Sequence, residues 1–316
     1  MHDIYSPENP PYTQPIPITK VNDRIGTSYI KCDPSKVIAV VQSDIPDNGR
    51  TVSPVDDEFR SMAANLIGFL HSEVEHGRLC NPLPPIQAGV GSVSNAVLEG
   101  LAKSDFDHLS VYSEVLQNSI FDLIDAGKVD FASGTSLTIS WDKRDEFFRN
   151  FEKYRNNIIL RPQEISNHPE VIRRLGVIAI NTVIEADIYG NTNSSYIDGC
   201  RLMNGVGGSG DYCQNAGLSI FITKSTAKNG TLSCIVPQVS HVDHTIHEIH
   251  ALITEQGVAD LRGLDPVDRA NLIIDKCAHP KFRKALHEYL DDAESTCRYK
   301  ENPVDLLAAL NFKKAL

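Results

Sequence analysis

Apolar positions along the chain repeat with two periods, which predict helices and strands respectively. Between residues 58 and 76 they recur every three or four positions, which predicts an amphipathic helix that Gly77 ends. Residues 109–112 alternate between apolar and polar, which predicts a strand. From Leu116 to Ile124 the apolar residues return to helical spacing, so we predict a helix that begins at Glu114.

The remaining segments continue this alternation of strands and helices. Apolar or alternating runs predict strands at 36–41 and 131–139, two strands within 175–188, and strands at 218–223, 233–239 and 249–254. Helices are predicted at the end of 83–101, at 141–154, 167–175 and 265–278, and twice more near the C-terminus. This order is typical of an α/β fold, here with an open mixed sheet and flanking helices.

Glu114 falls where the predicted strand meets the predicted helix. Ser113 can cap that helix and Gly127 can end it. The dipole of a helix favours an ionised carboxylate in its first turn, and open α/β sheets bind ligands beyond the carboxyl ends of their strands. The pattern therefore makes Glu114 a candidate for chemistry. An ordinary acidic residue that complements the dipole is the commoner alternative for this stretch alone.

Two glycine-rich stretches are candidates for binding a ligand through the backbone. Residues 89–95 form a turn that leads into a helix, and its N–H groups suit a phosphate or an oxyanion, with a plain tight turn as the alternative. It is not a dinucleotide-binding fingerprint, because Ser94 occupies the third glycine position and Pro84-Pro85 disfavour a preceding strand. Residues 204–211 contain four glycines among eight residues, which favours close contact with a ligand.

Other carboxylates and a group of histidines offer alternatives. Glu185 and Asp187 share one face of a predicted strand and suit an acid–base pair, and Glu255 follows a strand much as Glu114 does. Residue type alone does not rank these carboxylates. Four histidines between 241 and 250 suggest a metal site, but their spacing of three differs from that of paired ligands on one helix face. We therefore predict no metal.

Composition limits the classes of function. The 316 residues carry a formal net charge of −11, and the pI is near 5.4. This acidity argues against a nucleic-acid partner or an anionic membrane surface. The polar, proline-rich start lacks the apolar core of a signal peptide, and we expect no membrane span. Seven scattered cysteines without CxxC spacing fit a reducing compartment, the cytosol or the mitochondrial matrix.

Five stretches taken together resemble one protein family. They are QAGVGSVSNAVLEGL (87–101), YSEVLQNSIFDLIDAGKV (112–129), NGVGGSGDY (204–212), HVDHTIHEI (241–249) and TEQGVADLRGL (254–264). In this order they closely resemble the acetyl-CoA hydrolase/acetate CoA-transferase family of class I CoA-transferases, with the eukaryotic mitochondrial acetyl-CoA hydrolases as the most similar branch. Two positions depart from the pattern, because Ile246 replaces an acidic residue and Gln214 replaces an arginine.

The resemblance implies roles for individual residues. Glu114 matches the catalytic glutamate, while Val90 and Gly208 match the backbone donors of an oxyanion hole. Asn167 matches an asparagine near the acyl group, and Glu255 matches a second glutamate of the active site. The residues implied in binding CoA are Pro84, Pro85, Ile86, Gln87, Ala88, Asn204, Gly208 and Lys228.

The resemblance also implies an activity and partners. A class I CoA-transferase-like domain transfers CoA from acetyl-CoA or succinyl-CoA to a small carboxylate through a glutamyl-CoA thioester, and hydrolyses acetyl-CoA where water reaches the intermediate. The acceptor stays open among acetate, succinate, propionate and 4-hydroxybutyrate. We expect coenzyme A or acyl-CoA as substrate, with no permanently bound cofactor. A homodimer is compatible with the resemblance, which implies a mitochondrial location with the cytoplasm as the alternative.

The resemblance also implies a domain division. We expect residues 1–50 to be a linker that follows a first CoA-transferase domain absent from this chain, and residues 51–316 to be the C-terminal catalytic domain. The alternative function is that of a truncated, non-catalytic form that binds CoA or a protein partner.

Overall fold

The computed structural model describes residues 1–45, 56–89 and 91–312. A 3-10 turn at Pro34–Lys36 precedes the helices. The helices are α1 (Asp57–Glu75), α2 (Ser92–Lys103), α3 (Asn118–Asp125), α4 (Trp141–Arg149), α5 (Phe151–Tyr154), α6 (Gln163–Ser166), α7 (Pro169–Leu175), α8 (Ser209–Asn215), α9 (Pro266–Cys277), α10 (Pro280–Thr296) and α11 (Leu306–Asn311). Within the described ranges, none of them combines the length and the apolar character needed to cross a bilayer.

One large sheet forms the centre of the molecule. The strands of the chain are β1 (Ile86–Ala88), β2 (Leu109–Tyr112), β3 (Val115–Gln117), β4 (Val129–Gly134), β5 (Ser136–Thr138), β6 (Ile158–Leu160), β7 (Ile178–Thr182), β8 (Glu185–Asp187), β9 (Thr192–Asn193), β10 (Tyr196–Ile197), β11 (Arg201–Leu202), β12 (Leu218–Ile222), β13 (Thr226–Ala227), β14 (Leu232–Ser233), β15 (Ile235–Val236), β16 (Ala251–Thr254) and β17 (Gly257–Asp260). Eight of them form a sheet in the order β17-β16-β12-β7-β1-β2-β4-β6. All neighbours from β16 to β6 are parallel, and β17 is antiparallel at one edge. The predicted open mixed sheet is therefore confirmed.

Helices cover both faces of this sheet. Ile178 and Ile180 of β7 pack into a core with Leu66 of α1. Ala179, which lies between them and points the other way, packs into a second core with Tyr212 of α8. Toward the β17 edge, α9 and α10 cover the sheet in a third core. Because both faces are buried, the central strands are almost continuously apolar.

Two of the long helices begin directly after an aspartate whose side chain caps them. The Asp56 carboxylate accepts a hydrogen bond from the Phe59 N–H at 2.8 Å, and that of Asp265 accepts one from the Asp268 N–H at 2.9 Å. Gly77 has a φ of 68°, the left-handed conformation that ends α1. These two predicted helices are confirmed to within one or two residues.

Residues 1–27 pack against the sheet and belong to the same folded unit. The Leu160 N–H donates to the Met1 carbonyl at 3.0 Å, and the Asp3 N–H donates to the Leu160 carbonyl at 2.9 Å, which extends the sheet beyond β6. Asp3 also forms a buried ion pair with Arg161. This part of the predicted linker is therefore packed on the folded domain, and the predicted domain division stays a prediction.

The predicted strand at 36–41 is wrong. Lys36 belongs to the 3-10 turn, the residues after it pair with no strand in the described structure, and Ile38 is 97% exposed. A short apolar run does not by itself distinguish a buried strand from an exposed segment. The predicted domain boundary at residue 50 lies within 46–55, outside the described residues, and stays a prediction.

Candidate active site

A cavity of about 760 Å³ opens at the carboxyl edge of the sheet. Parallel strands end at the same edge, so residues far apart in sequence meet there. Its walls are formed by Gln87, Ala88, Gly89, Gly91, Ser92, Asn95, Ser113, Glu114, Val115, Gln117, Thr138, Asn181, Thr182, Ser194, Asn204, Gly205, Val206, Gly207, Gly208, Ser209 and Tyr212.

Glu114 lies at a bend between β2 and β3, and its predicted position in the first turn of a helix is wrong. The chain stays extended because β3 pairs in parallel with β5, and α3 begins only at Asn118. Leu116 is fully buried in this ladder, so its apolar character fits either assignment. Ser113 is not a helix cap, and its hydroxyl donates to the Ala88 carbonyl at 3.3 Å. No helix dipole therefore acts on Glu114 from its own segment.

The main chain of Glu114 is held by hydrogen bonds, whereas its carboxylate accepts none from the described residues. The Thr135 N–H donates to the Glu114 carbonyl at 2.7 Å, which ties the bend to the end of β4. The side chain is half-buried at the cavity wall. Among the residues that the structure describes, none donates a hydrogen bond to the Glu114 carboxylate. Its oxygens are therefore available to attack a bound electrophile.

The second glycine-rich loop meets this carboxylate at Gly208. A Cβ atom at Gly208 would overlap a Glu114 carboxylate oxygen and would lie 2.7 Å from Asn167 Nδ2. Asn167 Nδ2 donates to Asp211 at 3.1 Å, and its buried Oδ1 has no partner in the described structure. The structure thus brings together Glu114, Gly208 and Asn167, which the sequence resemblance groups.

The first glycine turn follows β1 directly. We expected Pro84-Pro85 to disfavour a strand, but β1 pairs with β2 and β7 because both prolines precede its first paired residue. Gly91, with a φ of 125°, is the N-cap of α2. Val90, the predicted oxyanion-hole donor, lies outside the described residues, and its role stays a prediction.

The segment 84–88, implied in CoA binding, lies only partly on the cavity. Gln87 and Ala88 form part of the wall. Ile86 is buried in the core, and the two prolines stand at the amino end of β1, away from the cavity edge. Asn204, also implied in CoA binding, does lie on the wall.

A buried histidine holds the second glycine loop in place. The Ser209 hydroxyl donates to the Val206 carbonyl at 2.8 Å, so its oxygen accepts from His244 Nε2, 3.0 Å away. His244 Nδ1 is then an acceptor, and the Cys213 sulfur lies 3.4 Å from it and 3.5 Å from the Gly210 carbonyl, so both are acceptors for the thiol proton. Burial lowers the pKa of His244 and raises the pKa of Cys213 to about 12, which keeps both groups neutral.

Cys213, His244 and Glu248 place three potential metal-ligand atoms within 4.8 Å of one another. A metal ion would bind Cys213 as a thiolate. The hydrogen bonds around His244 are instead made by a neutral Cys213 thiol and a neutral imidazole. His241 and His250 lie elsewhere. His241 stands 3.3 Å from an aspartate, and the ring of His250 accepts a backbone N–H from β12.

The Glu185 and Asp187 pair holds loops together and lies outside the described wall of the cavity. Asp187 accepts hydrogen bonds from the backbone N–H groups of residues 189–191, and burial raises the pKa of Asp187 to about 6. Glu185 accepts from the Asn193 amide and from Ser240. The predicted acid–base role therefore has no support in the geometry.

Glu255 and Lys228 line a second cavity of about 580 Å³. Glu255 occupies the tight turn between β16 and β17, where the Ser225 N–H and the Gln256 amide each donate to it at 2.9 Å. Four strand steps separate β16 from β2, which is roughly 19 Å at about 4.8 Å per step. The described structure does not bring Glu255 or Lys228 into the cavity of Glu114.

Two polar residues of the main cavity were not singled out from the sequence. Gln117 lies in the same sequence motif as Glu114, and that motif is the feature that could have marked it as a residue of the site. Asn181 Oδ1 accepts from Gln87 Nε2 at 3.2 Å, and the other amide atoms of this pair, Gln87 Oε1 and Asn181 Nδ2, are buried without a partner in the described structure. Nothing in the sequence marks Asn181, because the pairing depends on the register of β1 and β7.

Comparison with known proteins identifies the family. Residues 144–290 match the family model described as the acetyl-CoA hydrolase/transferase C-terminal domain. The chain is 52% identical over 293 residues to a succinyl-CoA:acetate CoA-transferase of Clostridium kluyveri, covering 93% of this chain and 54% of that protein. The chain belongs to the acetyl-CoA hydrolase/transferase family. It is also 49% identical over 301 residues to an acetyl-CoA hydrolase of Schizosaccharomyces pombe, covering 94% of this chain and 58% of that protein.

Structural comparison agrees with this family. The fold is similar to that of a 4-hydroxybutyrate CoA-transferase from Porphyromonas gingivalis, with a TM-score of 0.60 and 25% identity over 77% of this chain and 57% of that protein. The predicted CoA-transferase-like fold is confirmed. The chain spans somewhat more than half the length of the curated relatives named above. Asn167, Gly208 and Glu255 fall within the segment that matches the family model, and Glu114 precedes it.

Proposed function

We propose that this chain is a catalytic part of an acyl-CoA:carboxylate CoA-transferase that also hydrolyses acetyl-CoA, with Glu114 as its nucleophile. One observation carries the proposal. The half-buried Glu114 carboxylate has no hydrogen-bond donor among the described residues, and it lies against the backbone of Gly208 on the wall of a large cavity. The names of the relatives support the substrate class.

The proposed reaction consists of two linked acyl transfers. A Glu114 oxygen attacks the acyl carbonyl carbon, the carbon–sulfur bond breaks, and a mixed anhydride and the CoA thiolate form. The thiolate attacks the glutamyl carbonyl carbon, the free acid leaves, and a glutamyl-CoA thioester remains. A second carboxylate reverses these steps and leaves with CoA. Attack by water on the thioester instead gives CoA and restores the Glu114 carboxylate.

Each transfer passes through a tetrahedral oxyanion that needs hydrogen-bond donors. The resemblance assigns these donors to the backbone N–H groups of Val90 and Gly208, and the contact between Gly208 and Glu114 supports the second assignment. One such donor is worth about 3–4 kcal/mol of transition-state stabilisation. Asn167, beside Gly208, is proposed to orient the acyl group or the carboxylate.

Further parts of the proposal rest on the resemblance alone. The acceptor is a small carboxylate such as acetate or succinate, the assembly is a homodimer, and the compartment is the mitochondrion. The resemblance also assigns Glu255 to the active site and Lys228 to CoA binding, but both line the second cavity, so the reaction proposed above gives neither a role at Glu114. Competition among unlabelled acids, sedimentation and cell fractionation test the first three parts separately.

Isotope exchange tests the proposed reaction directly. A two-step mechanism through an enzyme-bound intermediate predicts that labelled acetate enters acetyl-CoA with no other acid present. The protein should therefore catalyse this exchange. Added succinate should compete with acetate for the enzyme-bound CoA and give succinyl-CoA. Saturable binding of acetyl-CoA with neither exchange nor release of CoA would instead support the non-catalytic, CoA-binding alternative.

A further inference from the structure

Gln117 connects the segment that carries Glu114 to the first glycine turn. It stands at the end of β3, three residues after Glu114, and only 6% of its surface is exposed. Its Nε2 donates to the Gly89 carbonyl at 3.1 Å and to the Ser94 hydroxyl at 2.7 Å. Its Oε1 accepts from the Gly91 N–H at 3.4 Å. One side chain thus contacts both Gly89 and Gly91, as well as the first turn of α2.

Two further buried side chains connect the same pair of segments outside the turn. The Ser113 hydroxyl donates to the Ala88 carbonyl at 3.3 Å, at the end of β1. The Ser119 hydroxyl donates to Asn95 Oδ1 at 2.9 Å, in the first turns of α2. These contacts lie before Gly89 and after Ser94. Between them the Gly89 N–H donates to the Ile180 carbonyl of β7 at 2.9 Å, and the Gln117 side chain connects Gly89, Gly91 and Ser94 to the segment of Glu114.

The glycine turn lacks a cap of its own. Gly91 is the N-cap of α2, has no side chain, and adopts a φ of 125° that other residues rarely adopt. No side-chain cap bond is made at this helix start. Glycine backbones have many accessible conformations, so a turn built from them needs an outside partner to hold one conformation. The Gln117 amide is such a partner, and it contacts the glycines on either side of residue 90.

We propose that Gln117 is a positioning residue that fixes the glycine turn and the start of α2 relative to Glu114. In the proposed reaction, on which this inference rests, the turn faces the acyl carbonyl that Glu114 attacks. A displacement of about 1 Å at such a site costs about 10²-fold in rate. Loss of the Gln117 contacts therefore slows acyl transfer more than it weakens binding of acyl-CoA.

Replacement of the amide by a carboxyl group gives a specific signature. In Gln117→Glu the ionised carboxylate has no donor and faces the Gly89 carbonyl oxygen, whereas the protonated carboxyl regains one O–H donor. The ratio of the variant rate to the parent rate should therefore rise as the pH falls. In Gln117→Met, which has a similar length and no such donor, the ratio should stay low at every pH.

The experiment measures acetate–acetyl-CoA exchange for the parent and both variants between about pH 8 and pH 5.5. We expect Gln117→Glu to be slower by about 10²-fold at the upper limit, with the KM for acetyl-CoA changed less than about threefold. At about pH 5.5 the ratio of the Gln117→Glu rate to the parent rate should be about tenfold higher than at about pH 8. Gln42→Glu makes the same change at an exposed residue and should match the parent throughout.

Different failures are distinguishable. Absence of exchange in the parent would refute the proposed function. The positioning role would be overturned if the parent catalyses exchange and the ratio of the Gln117→Glu rate to the parent rate is near one or does not change with pH. If Gln117→Glu does not fold, Ser94→Ala removes one partner of the amide and should slow exchange by about threefold to tenfold without altering KM. An unchanged rate in Ser94→Ala would then refute the inference.

Discussion

Two glutamates follow parallel strands at the same edge of the sheet, yet their surroundings differ. Glu114 follows β2, and among the described residues nothing donates a hydrogen bond to its carboxylate. Glu255 follows β16, and its carboxylate accepts from the Ser225 N–H, the Ser225 hydroxyl and the Gln256 amide. Donors stabilise the charge on a carboxylate and occupy its lone pairs, so they reduce its ability to attack a carbonyl carbon. Position on the sheet is shared, and hydrogen-bond occupancy distinguishes the two residues.

The backbone around each glutamate reinforces the difference. Gly208 brings a main chain without a side chain against the Glu114 carboxylate, an arrangement suited to a carboxylate that must form and break bonds. Glu255 instead sits in a tight turn between two strands, where its contacts hold that turn to Ser225. We therefore expect chemistry to depend on Glu114 and local stability to depend on Glu255.

Replacement of the proposed nucleophile should have the largest effect. Glu114→Gln removes the carboxylate oxygen that is proposed to attack the acyl carbonyl carbon, so we expect acetate–acetyl-CoA exchange to fall by about 10⁴-fold or more. Glu255→Gln is the matched control, because it makes the same change at the same edge, and it should lose less than about tenfold. Similar losses of exchange rate in the two variants would contradict the assignment of the nucleophile to Glu114.

A methyl group at the glycine contact should have the next largest effect. Gly208 has a φ of −79°, which alanine tolerates, but the added Cβ atom would overlap the Glu114 carboxylate. We expect Gly208→Ala to slow exchange by about 10²-fold with little change in melting temperature. In Gly205→Ala, on the same loop, the nearest atom to the new Cβ would be 4.0 Å away, so its rate should stay near that of the parent.

The smallest effect concerns stability and its dependence on pH. Burial acts to raise the pKa of Glu255, but the donors on Ser225 and Gln256 outweigh it and the pKa of Glu255 is lowered. The ionised form therefore stabilises the fold above the ordinary pKa of 4.5, and this contribution is lost as the pH falls below that value. We expect Glu255→Gln to lower the free energy of unfolding by about 1 kcal/mol at pH 7, measured by denaturant titration. A difference that grows toward acid pH would contradict this assignment.

The sequence predicts long elements well, because their signals are local. The helix at Asp57–Glu75 was predicted from its apolar spacing and its stop at Gly77, and both signals lie within the segment itself. The run at 36–41 has strand-like residues too, but its burial depends on partners that the sequence does not specify. Ile38 is consequently exposed where a buried strand was predicted.

The candidate site was predictable in part. The resemblance groups Glu114, Gly208 and Asn167, and the structure brings them together. The extended path after Glu114 was missed because β3 pairs with β5, about twenty residues away, and this tertiary contact overrides a local helical pattern. The contacts of Gln117 with the glycine turn depend on the same path and were missed for the same reason.

The central claim is that Glu114, and not Glu255, carries the intermediate. The most direct test is to incubate the protein with acetyl-CoA, digest it under conditions that preserve thioesters, and locate the CoA-derived mass by tandem mass spectrometry. We predict CoA on the peptide that contains Glu114, lost on addition of acetate and absent in Glu114→Gln. CoA attached to Glu255, or steady exchange with no mass on Glu114, would contradict the account.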